Sequence, residues 1–488
     1  MGIKKARRMY YAVVAPSMLY AADVWCTEGM EKGGVGKGRG TVGMVTKLER
    51  VQRAAALQAT GALRTTPSDL LFAHADMPPM AHQITKICQN ATLRLATVPD
   101  THPLAREVKR ASKICPKVYP SPLNSLFRAT KINTDRLETI GTVSKHPSWK
   151  SPIPRTVAPT KEEALKAENE NDADFKLYSD GSAHDGQVGA AAILQYGFRP
   201  TRVARYYLGP ITKHTVHEAE GVGQLLAVRL LQTERAEIRH SDITLGVDSQ
   251  SSIMAHDARK PRPGSHITEA VQQLYQKVKA SRGNINLRIN WIPGHKGIPG
   301  SEKVDEEAKK AAEGEHRNIN SNFGLLKKGL PDSKSAARQQ LNAKAKRQYV
   351  TAFQKSPRYN KIARIDPSTP SSRFRKDTTK LPKRHASILV QLRTGHVPLQ
   401  AYLHRFKKAE SPTCPGCGGE DETVEHYLRR CPMYAAQRRR LRRDIGEERE
   451  VDVDILGRRD LYPALFRYIW RTERFRESHG ELEPINDK

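Results

Sequence analysis

The middle of the chain is predicted to adopt an α/β fold. It should be a mixed five-stranded sheet with flanking helices, set between mainly helical N-terminal and C-terminal regions. Three observations predict this. Between 175 and 312, segments of strand and helix character follow in the order βββαβααβα, which suits a sheet covered by helices. The second and third strand segments are separated by Gly197 and Pro200, which fit the turn of an antiparallel meander. Outside this stretch the apolar residues recur at helical spacing, interrupted by prolines.

Taken in order, residues 5–26 place Tyr10, Val13, Val14, Met18, Leu19 and Ala22 near a helical period broken at Pro16. The Gly-rich stretch 30–42 reads as a loop. A helix over 44–60 sets Met44, Leu48, Val51, Ala55 and Ala59 towards one side, and further helices over 64–74 and 80–98 are separated by Pro78 and Pro79. Residues 115–172 are rich in Pro, Ser, Thr and Lys with little periodicity, and the region 111–172 reads as a linker after a helical region 1–110. The central domain, 173–315, opens with a strand Phe175–Ser179, then Gln187–Tyr196 and Thr201–Leu208. A helix Val216–Leu231 carries Leu225, Leu226, Val228, Leu230 and Leu231. The strand Ile243–Val247, helices Ser251–His256 and Ser265–Lys279, the strand Asn286–Trp291 and a helix from about Ser301 complete it. Residues 316–384 read as a basic linker with a helix over 337–350. The region 385–475 is helical again, with Ile388, Leu389, Leu392, Leu399 and Leu403 as core and a last helix from Tyr462 to Arg474.

The 488 residues suffice for two to four domains. With 82 Lys and Arg against 52 Asp and Glu, the formal charge is +30, which points to acidic partners and above all to nucleic acid. Six cysteines are too few for a disulfide scaffold and suit a reducing compartment. Cys26, Cys88 and Cys115 are scattered and read as inert. The N-terminal apolar run is interrupted by Tyr10, Tyr11 and Pro16, and no uncharged apolar window of membrane length follows, so no membrane span is expected. The expected location is intracellular, either nucleus or cytoplasm.

Four carboxylates stand where an ordered structure can hold them. Asp180 ends the first strand, beside Gly181. Asp248 ends the strand ITLGV. Glu220 lies in the first turns of a helix, and Asp305 lies on a helix after a Gly/Pro-rich loop. Carboxylates brought together repel and are costly to desolvate, and bound cations explain such a cluster. Thr215 and Glu218 have capping-box spacing, which leaves Glu220 free to face the sheet. A lone Asp-Gly would be an ordinary turn, and Glu302, Glu306 and Glu307 read as a solvated helix face.

The stretches SDGS (179–182), the HEAE that ends at Glu220, VDSQ (247–250) and WIPGHKGIPGSEKVDEEAKK (291–310) resemble ribonuclease H type 1, in the form carried by non-LTR, LINE-like retrotransposon polyproteins, with a fungal source expected. The likeness covers about 140 residues and implies a ribonuclease H-like fold. It departs at Ser301, where the family usually has Asn, although serine can still hydrogen-bond across the turn. It implies that Asp180, Glu220, Asp248 and Asp305 hold Mg²⁺, with Mn²⁺ as a substitute, and that His295, in a loop between Gly294 and Gly297, carries a proton during product departure. Ser182, Ser249 and Gln250 are then expected at the substrate. The implied activity is two-metal hydrolysis of the RNA strand of an RNA–DNA hybrid.

Residues 414–431 carry a second pattern. Cys414, Cys417, His426 and Cys431 are spaced C-x₂-C-x₈-H-x₄-C, a set suited to structural Zn²⁺, and RRRLRR at 438–443 follows with phosphate-binding potential. The segments YAVVAPSMLYAADVW, LERVQRAAALQATGALRTTP and ATLRLATVPDTHPL resemble the thumb and connection of a non-LTR reverse transcriptase. QLRTGH resembles a segment recurring between nuclease and cysteines in these elements. No paired-aspartate polymerase motif occurs between 1 and 170, so the expected polypeptide is a retroelement-derived fragment lacking the polymerase palm. Its expected partners are RNA–DNA hybrid, other nucleic acid through the basic regions, and a retroelement polymerase. The alternative function is a catalytically inactive nucleic-acid-binding remnant or adaptor.

Overall fold

The structure is a computed structural model that describes residues 2–26, 42–114, 116, 120–197, 199–234, 238, 240–283, 285–315, 323–446 and 448–485. The Gly-rich stretch 30–42, apart from its last residue, and Cys115 lie outside the described residues. The chain divides into two compact units. One comprises 88–343, and the other combines 1–87 with 344–488.

The first unit is built on a six-stranded sheet: β1 (Arg155–Thr156), β2 (Phe175–His184), β3 (Gln187–Tyr196), β4 (Arg202–Pro210), β5 (Asp242–Val247) and β6 (Asn286–Trp291), in the spatial order β1-β6-β5-β2-β3-β4. β2, β3 and β4 form the expected antiparallel meander, while β5 runs parallel to β2 and β6 parallel to β5. Period-2 alternation divides the side chains between two cores. Phe175, Leu177, Ala190, Ala192 and Leu194 join Leu225, Leu226 and Val228 of helix α1 (Val216–Gln232) on one face. Tyr178, Ala191 and Ile193 meet Ile298, Val304 and Ala308 on the other, where the helix α2 (Pro299–Ala312) packs. Between β5 and β6 lie a short helix Gln250–Ala255 and a longer one, Ser265–Arg282.

Three expectations are corrected here. β2 does not end at Ser179. It continues through Asp180 and Gly181 to His184, each paired with β3, so Asp180 is a strand-interior residue and Asp-Gly is no turn. The stretch 111–172, read as a linker, contains the helices Pro122–Thr130 and Lys161–Asn169 and the sixth strand β1, which pairs with β6. Its apolar side chains fall in short separate groups, Phe127 in a small cluster with Val108 and Ala111 and Ile153 in the main core, and such short groups give little periodic signal over the whole stretch. The basic stretch 316–384, whose residues 316–322 lie outside the described residues, holds the helices Lys334–Gln354, Tyr359–Ile365 and Arg373–Asp377.

In the second unit the N-terminal and C-terminal regions share one core. Leu70 and Ala73 pack in the same cluster as Ile388, Leu389, Leu392, Phe466 and Tyr468. Its centre is Arg393, 1% exposed, from the QLRTGH segment. Arg393 pairs with Asp366 at 3.0 Å, donates from Nε to His74 Nε2 at 3.0 Å and from Nη1 to the Leu456 carbonyl at 2.9 Å, and lies over the Phe374 ring. His74 in turn donates from Nδ1 to the Leu70 carbonyl, so burial and the guanidinium hold it neutral, its pKa pushed down to about 3. The helix Val42–Thr60 buries Val45, Gln52, Ala56 and Ala59, while Met44 and Val51, expected on the same side as Ala59, are 48% and 46% exposed. The buried stripe includes a polar residue because Gln52 donates to the Pro78 carbonyl at 2.7 Å. No helix among the described residues is long and apolar enough to cross a membrane.

Candidate metal centres

Two helix-to-strand contacts assemble the carboxylates. Thr215 caps α1 by accepting from the Glu218 N–H, and Glu218 returns its carboxylate to the Thr215 N–H at 2.8 Å, so the capping box forms. Glu218 is thereby occupied, and Glu220, two residues on, turns towards the sheet. The approach is close because position 181 is glycine. A Cβ there would collide with the Glu220 backbone nitrogen and with Ala219. Gly181 therefore serves helix–strand packing rather than a turn. Asp248 follows β5, and the Trp291 indole N–H donates to its carbonyl at 3.0 Å.

The result is one cleft of about 200 Å³ lined by Asp180, Glu220, Asp248, Asp305, His295, Ser182 and neighbours that include Ser179, Ser301 and Gly294. One carboxylate oxygen from each of Asp180, Glu220 and Asp248 lies within 4.8 Å of the others. Asp305 lines the same cleft but stands outside that triad, its carboxylate paired with Lys309 at 2.7 Å. Lys309 was not singled out from the sequence, although Asp-x₃-Lys is the i,i+4 spacing at which opposite charges meet on a helix. His295 is exposed and holds a positive φ of 54°. Gly294 lets its loop close on Asp248, since a Cβ there would lie 2.9 Å from Asp248 Oδ2. Ser182 reaches the cleft, but Ser249 and Gln250 are not among its lining residues. Ser249 instead caps the helix Gln250–Ala255 by accepting from the Ser252 N–H, and Gln250 is exposed. His214 is buried and does not line the cleft.

The electrostatics are those of a site built for cations. Burial, then Asp180 and Asp248, push the Glu220 carboxyl up to about 9. Burial, then Asp248, raise Asp180 to about 7, against the opposing Gly181 N–H and Lys309. Burial raises Asp248, while His295 opposes it. Glu220 Oε2 is buried without a hydrogen-bond partner, a costly state for a carboxylate oxygen. A divalent cation with oxygen ligands fits this triad.

The cysteine cluster fits a different ion. Cys414, Cys417, His426 and Cys431 each place a ligand atom within 4.8 Å of the rest. Cys414 Sγ and Cys431 Sγ are 3.8 Å apart, and Cys417 Sγ is 3.5 Å from His426 Nε2. Zinc–ligand bonds of about 2.3 Å to sulfur and about 2.0 Å to nitrogen give tetrahedral edges of about 3.8 Å and about 3.5 Å, so the spacing matches Zn²⁺. A π-helical turn over His426–Arg430 explains the H-x₄-C spacing. The Cys431 N–H donates to the His426 carbonyl five residues back, which brings both side chains to one side. Glu420 holds His426 Nδ1 at 3.2 Å, leaving Nε2 for the metal side. The Gly419 N–H lowers the Cys417 thiol to about 7, favouring the thiolate that zinc requires.

A family model described as RNase H matches residues 172–313. Ribonuclease H from Escherichia coli O139:H28, from Shigella boydii serotype 18 and from Escherichia fergusonii are each 27% identical over 146 residues, covering 28% of this chain and 88% of theirs. Among solved structures, LC11-RNase H1 in complex with an RNA/DNA hybrid aligns at 18% identity over 29% of this chain and 97% of its own, with a TM-score of 0.24. RNase H1 from Halobacterium salinarum aligns at 15% identity over 29% and 98%, with a TM-score of 0.22. Residues 172–313 thus form a remote ribonuclease H-like domain, of a nuclease and hydrolase superfamily, within a longer chain.

Proposed function

We propose that the chain is a metal-dependent endonuclease that cleaves the RNA strand of RNA–DNA hybrids. The observation that carries this reading is the triad Asp180, Glu220 and Asp248, held within 4.8 Å inside the ribonuclease H-like domain, with Glu220 Oε2 unpartnered. Asp180, Glu220 and Asp248 would hold Mg²⁺ or Mn²⁺, with Asp305, now paired with Lys309, as the fourth carboxylate of the cleft. Such ions supply Lewis-acid polarisation of the scissile phosphate and lower the pKa of an attacking water. The protein's own part is positional. β2 and the end of β5 fix two carboxylates on backbone that cannot drift, and the α1 cap fixes the third. Ser182 contacts the sugar–phosphate backbone from within the cleft. His295, exposed on its loop beside Asp248, takes a proton as product leaves. Contacts to phosphate and sugar make sequence preference weak, and the 2′-hydroxyl identifies the RNA strand.

The sequence likeness of the flanking segments supports a retroelement origin, with hybrid, other nucleic acid and a retroelement polymerase as partners. Zn²⁺ on Cys414, Cys417, His426 and Cys431 staples the C-terminal lobe. Incubating the chain with labelled hybrid and Mg²⁺ tests the central claim. The RNA strand should be cut by the parent protein and not by Asp180→Asn, which keeps the side-chain shape and removes one ligand charge. A folded parent that is inert with both Mg²⁺ and Mn²⁺ would leave the inactive-remnant reading in its place.

A further inference from the structure

The segment 137–157, which precedes the ribonuclease H-like domain, is a strap over it. At its start the fully buried Glu138 accepts from the N–H of Gly264 at 2.7 Å and of Lys334 at 2.8 Å. In its middle the Lys145 N–H donates to the Arg259 carbonyl at 2.9 Å, and the Arg259 guanidinium donates to the Pro147 carbonyl at 3.4 Å. At its end Arg155 pairs with Asp257, Ile153 enters the core and β1 joins the sheet. Asp257, Arg259 and Gly264 all belong to the loop between the helices Gln250–Ala255 and Ser265–Arg282. Strap and loop therefore form one fixed surface.

That surface is cationic. The strap and the stretch 257–264 together hold six Lys and Arg against two carboxylates, the buried Glu138 and Asp257, which Arg155 takes. Among the described residues, Lys145, Lys150, Arg259, Lys260 and Arg262 have no carboxylate partner. Lys145 Nζ lies 3.7 Å over the Trp149 ring centroid, a cation–π contact that holds the ammonium in place. A loose basic run is ordinarily a solvated face. Here the backbone is already ordered, so little side-chain and loop entropy opposes binding of a partner.

The loop also shares a cavity with sequence neighbours of the carboxylates. This cavity, of about 540 Å³, is lined by His217 and Ser251, each three residues from Glu220 or Asp248, and by Arg262 and Gly264. The helix between Asp248 and the loop has six residues, so it is about 9 Å long at 1.5 Å per residue. Duplex phosphates recur about every 3.4 Å along one strand, so that helix length corresponds to roughly three base pairs.

We infer that the strap and loop bind backbone phosphates of the hybrid away from the scissile bond, with Lys145 and Lys150 contributed from outside the ribonuclease H-like domain. This rests on the proposed hybrid specificity and extends the substrate surface beyond the domain. The test uses the full chain carrying Asp180→Asn and a labelled RNA–DNA hybrid followed by fluorescence anisotropy. Adding Lys145→Glu with Lys150→Glu should weaken binding about tenfold near physiological salt and reduce the slope of log affinity against log salt by roughly two. In the chain with Asp180 intact, KM should rise while kcat holds. The same reversal at exposed Lys277 and Lys279, on the helix Ser265–Arg282, should change affinity less than about twofold. Equal loss from both pairs would show that net charge alone matters and would overturn the inference, as would no loss from the strap pair. Parent protein that cleaves hybrid while the strap variant binds normally removes the strap role and leaves the nuclease reading intact. Parent protein that binds through the strap but does not cleave has the opposite meaning, and no hybrid binding at all refutes both.

Discussion

Replacing Glu220 by Gln should stabilise the metal-free protein. Glu220 is 7% exposed, one of its oxygens has no hydrogen-bond partner, and Asp180 and Asp248 lie beside it. Its folded pKa of about 9 lies above its ordinary value of 4.5, so the folded state keeps the proton longer than the unfolded state does. The sign follows from linkage. Below pH 4.5 both states are protonated and the group costs nothing, and between 4.5 and about 9 the cost grows with rising pH. At about 1.36 kcal/mol per unit it reaches up to about 3 kcal/mol at pH 7. Gln has nearly the same shape and no charge to desolvate. For a unit of this size about 1 kcal/mol moves the melting temperature by roughly 2–4 °C, so Glu220→Gln should melt roughly 6–12 °C higher in chelator at pH 7. The gap should close as the pH falls to 4.5. Saturating Mg²⁺ should narrow or reverse it, because the ion stabilises only the protein that holds it well. Calorimetry of the two proteins at several pH values, with and without Mg²⁺, measures all of this. A variant that melts at or below the parent in chelator at pH 7 would show that Glu220 is stabilised by a partner rather than opposed by its neighbours.

Glu218→Gln should retain most hybrid cleavage and lose under about 1 kcal/mol, since Gln also completes a capping box. An inactive Glu218→Gln beside an active Glu220→Gln, at equal folding by circular dichroism, would reverse the assignment of the two. Cys417→Ser should abolish the approximately one zinc per chain expected from the four ligands and leave the nuclease fold unchanged, because the cluster belongs to the other compact unit. Elemental analysis and circular dichroism read the two effects, and metal-washed parent without zinc would refute the site. Arg393→Met removes one partner of a buried pair and leaves Asp366 and His74 facing apolar side chains. It should cost about 3–5 kcal/mol in urea unfolding, and a loss below about 1 kcal/mol would show that the network contributes little.

The domain core was legible because its elements carry complete local signals. β3 and β6 have the predicted bounds, and the Thr215–Glu218 box marks where α1 begins and separates two glutamates that composition cannot tell apart. Asp180 was legible as a ligand candidate but not in its setting. Asp-Gly reads locally as a turn, and the reason for glycine is the backbone of α1, whose contact residues lie 38 and 39 positions away. Ser249 and Gln250 were placed at substrate by the motif alone, whereas a capping serine is locally committed to the next turn of backbone. The pairing of Asp305 with Lys309 was open to a reading of i,i+4 charges on α2, a signal present in the sequence and not used.

What the hydrophobic pattern could not show is where polar side chains act as core. Pattern logic assigns every Glu, Arg and Gln to solvent, since such groups are costly to bury without partners. Glu138, Arg393 and Gln52 are buried because each finds its partners in distant sequence. Glu138 bonds residues 126 and 196 positions away, and Arg393 bonds one 319 away. No local window contains both halves of such a contact, so a segment anchored by one buried polar residue reads as linker. The strap 137–157 and the QLRTGH segment were misread or left unexplained for the same reason. The physical consequence is that the strap is ordered largely by a few directional contacts rather than by a broad apolar face. Single substitutions such as Glu138→Ala should therefore release a whole segment, where loss of one residue from an apolar stripe would only thin it. If the strap carries substrate phosphates, that release would appear as weaker hybrid binding in a domain whose carboxylates are all in place.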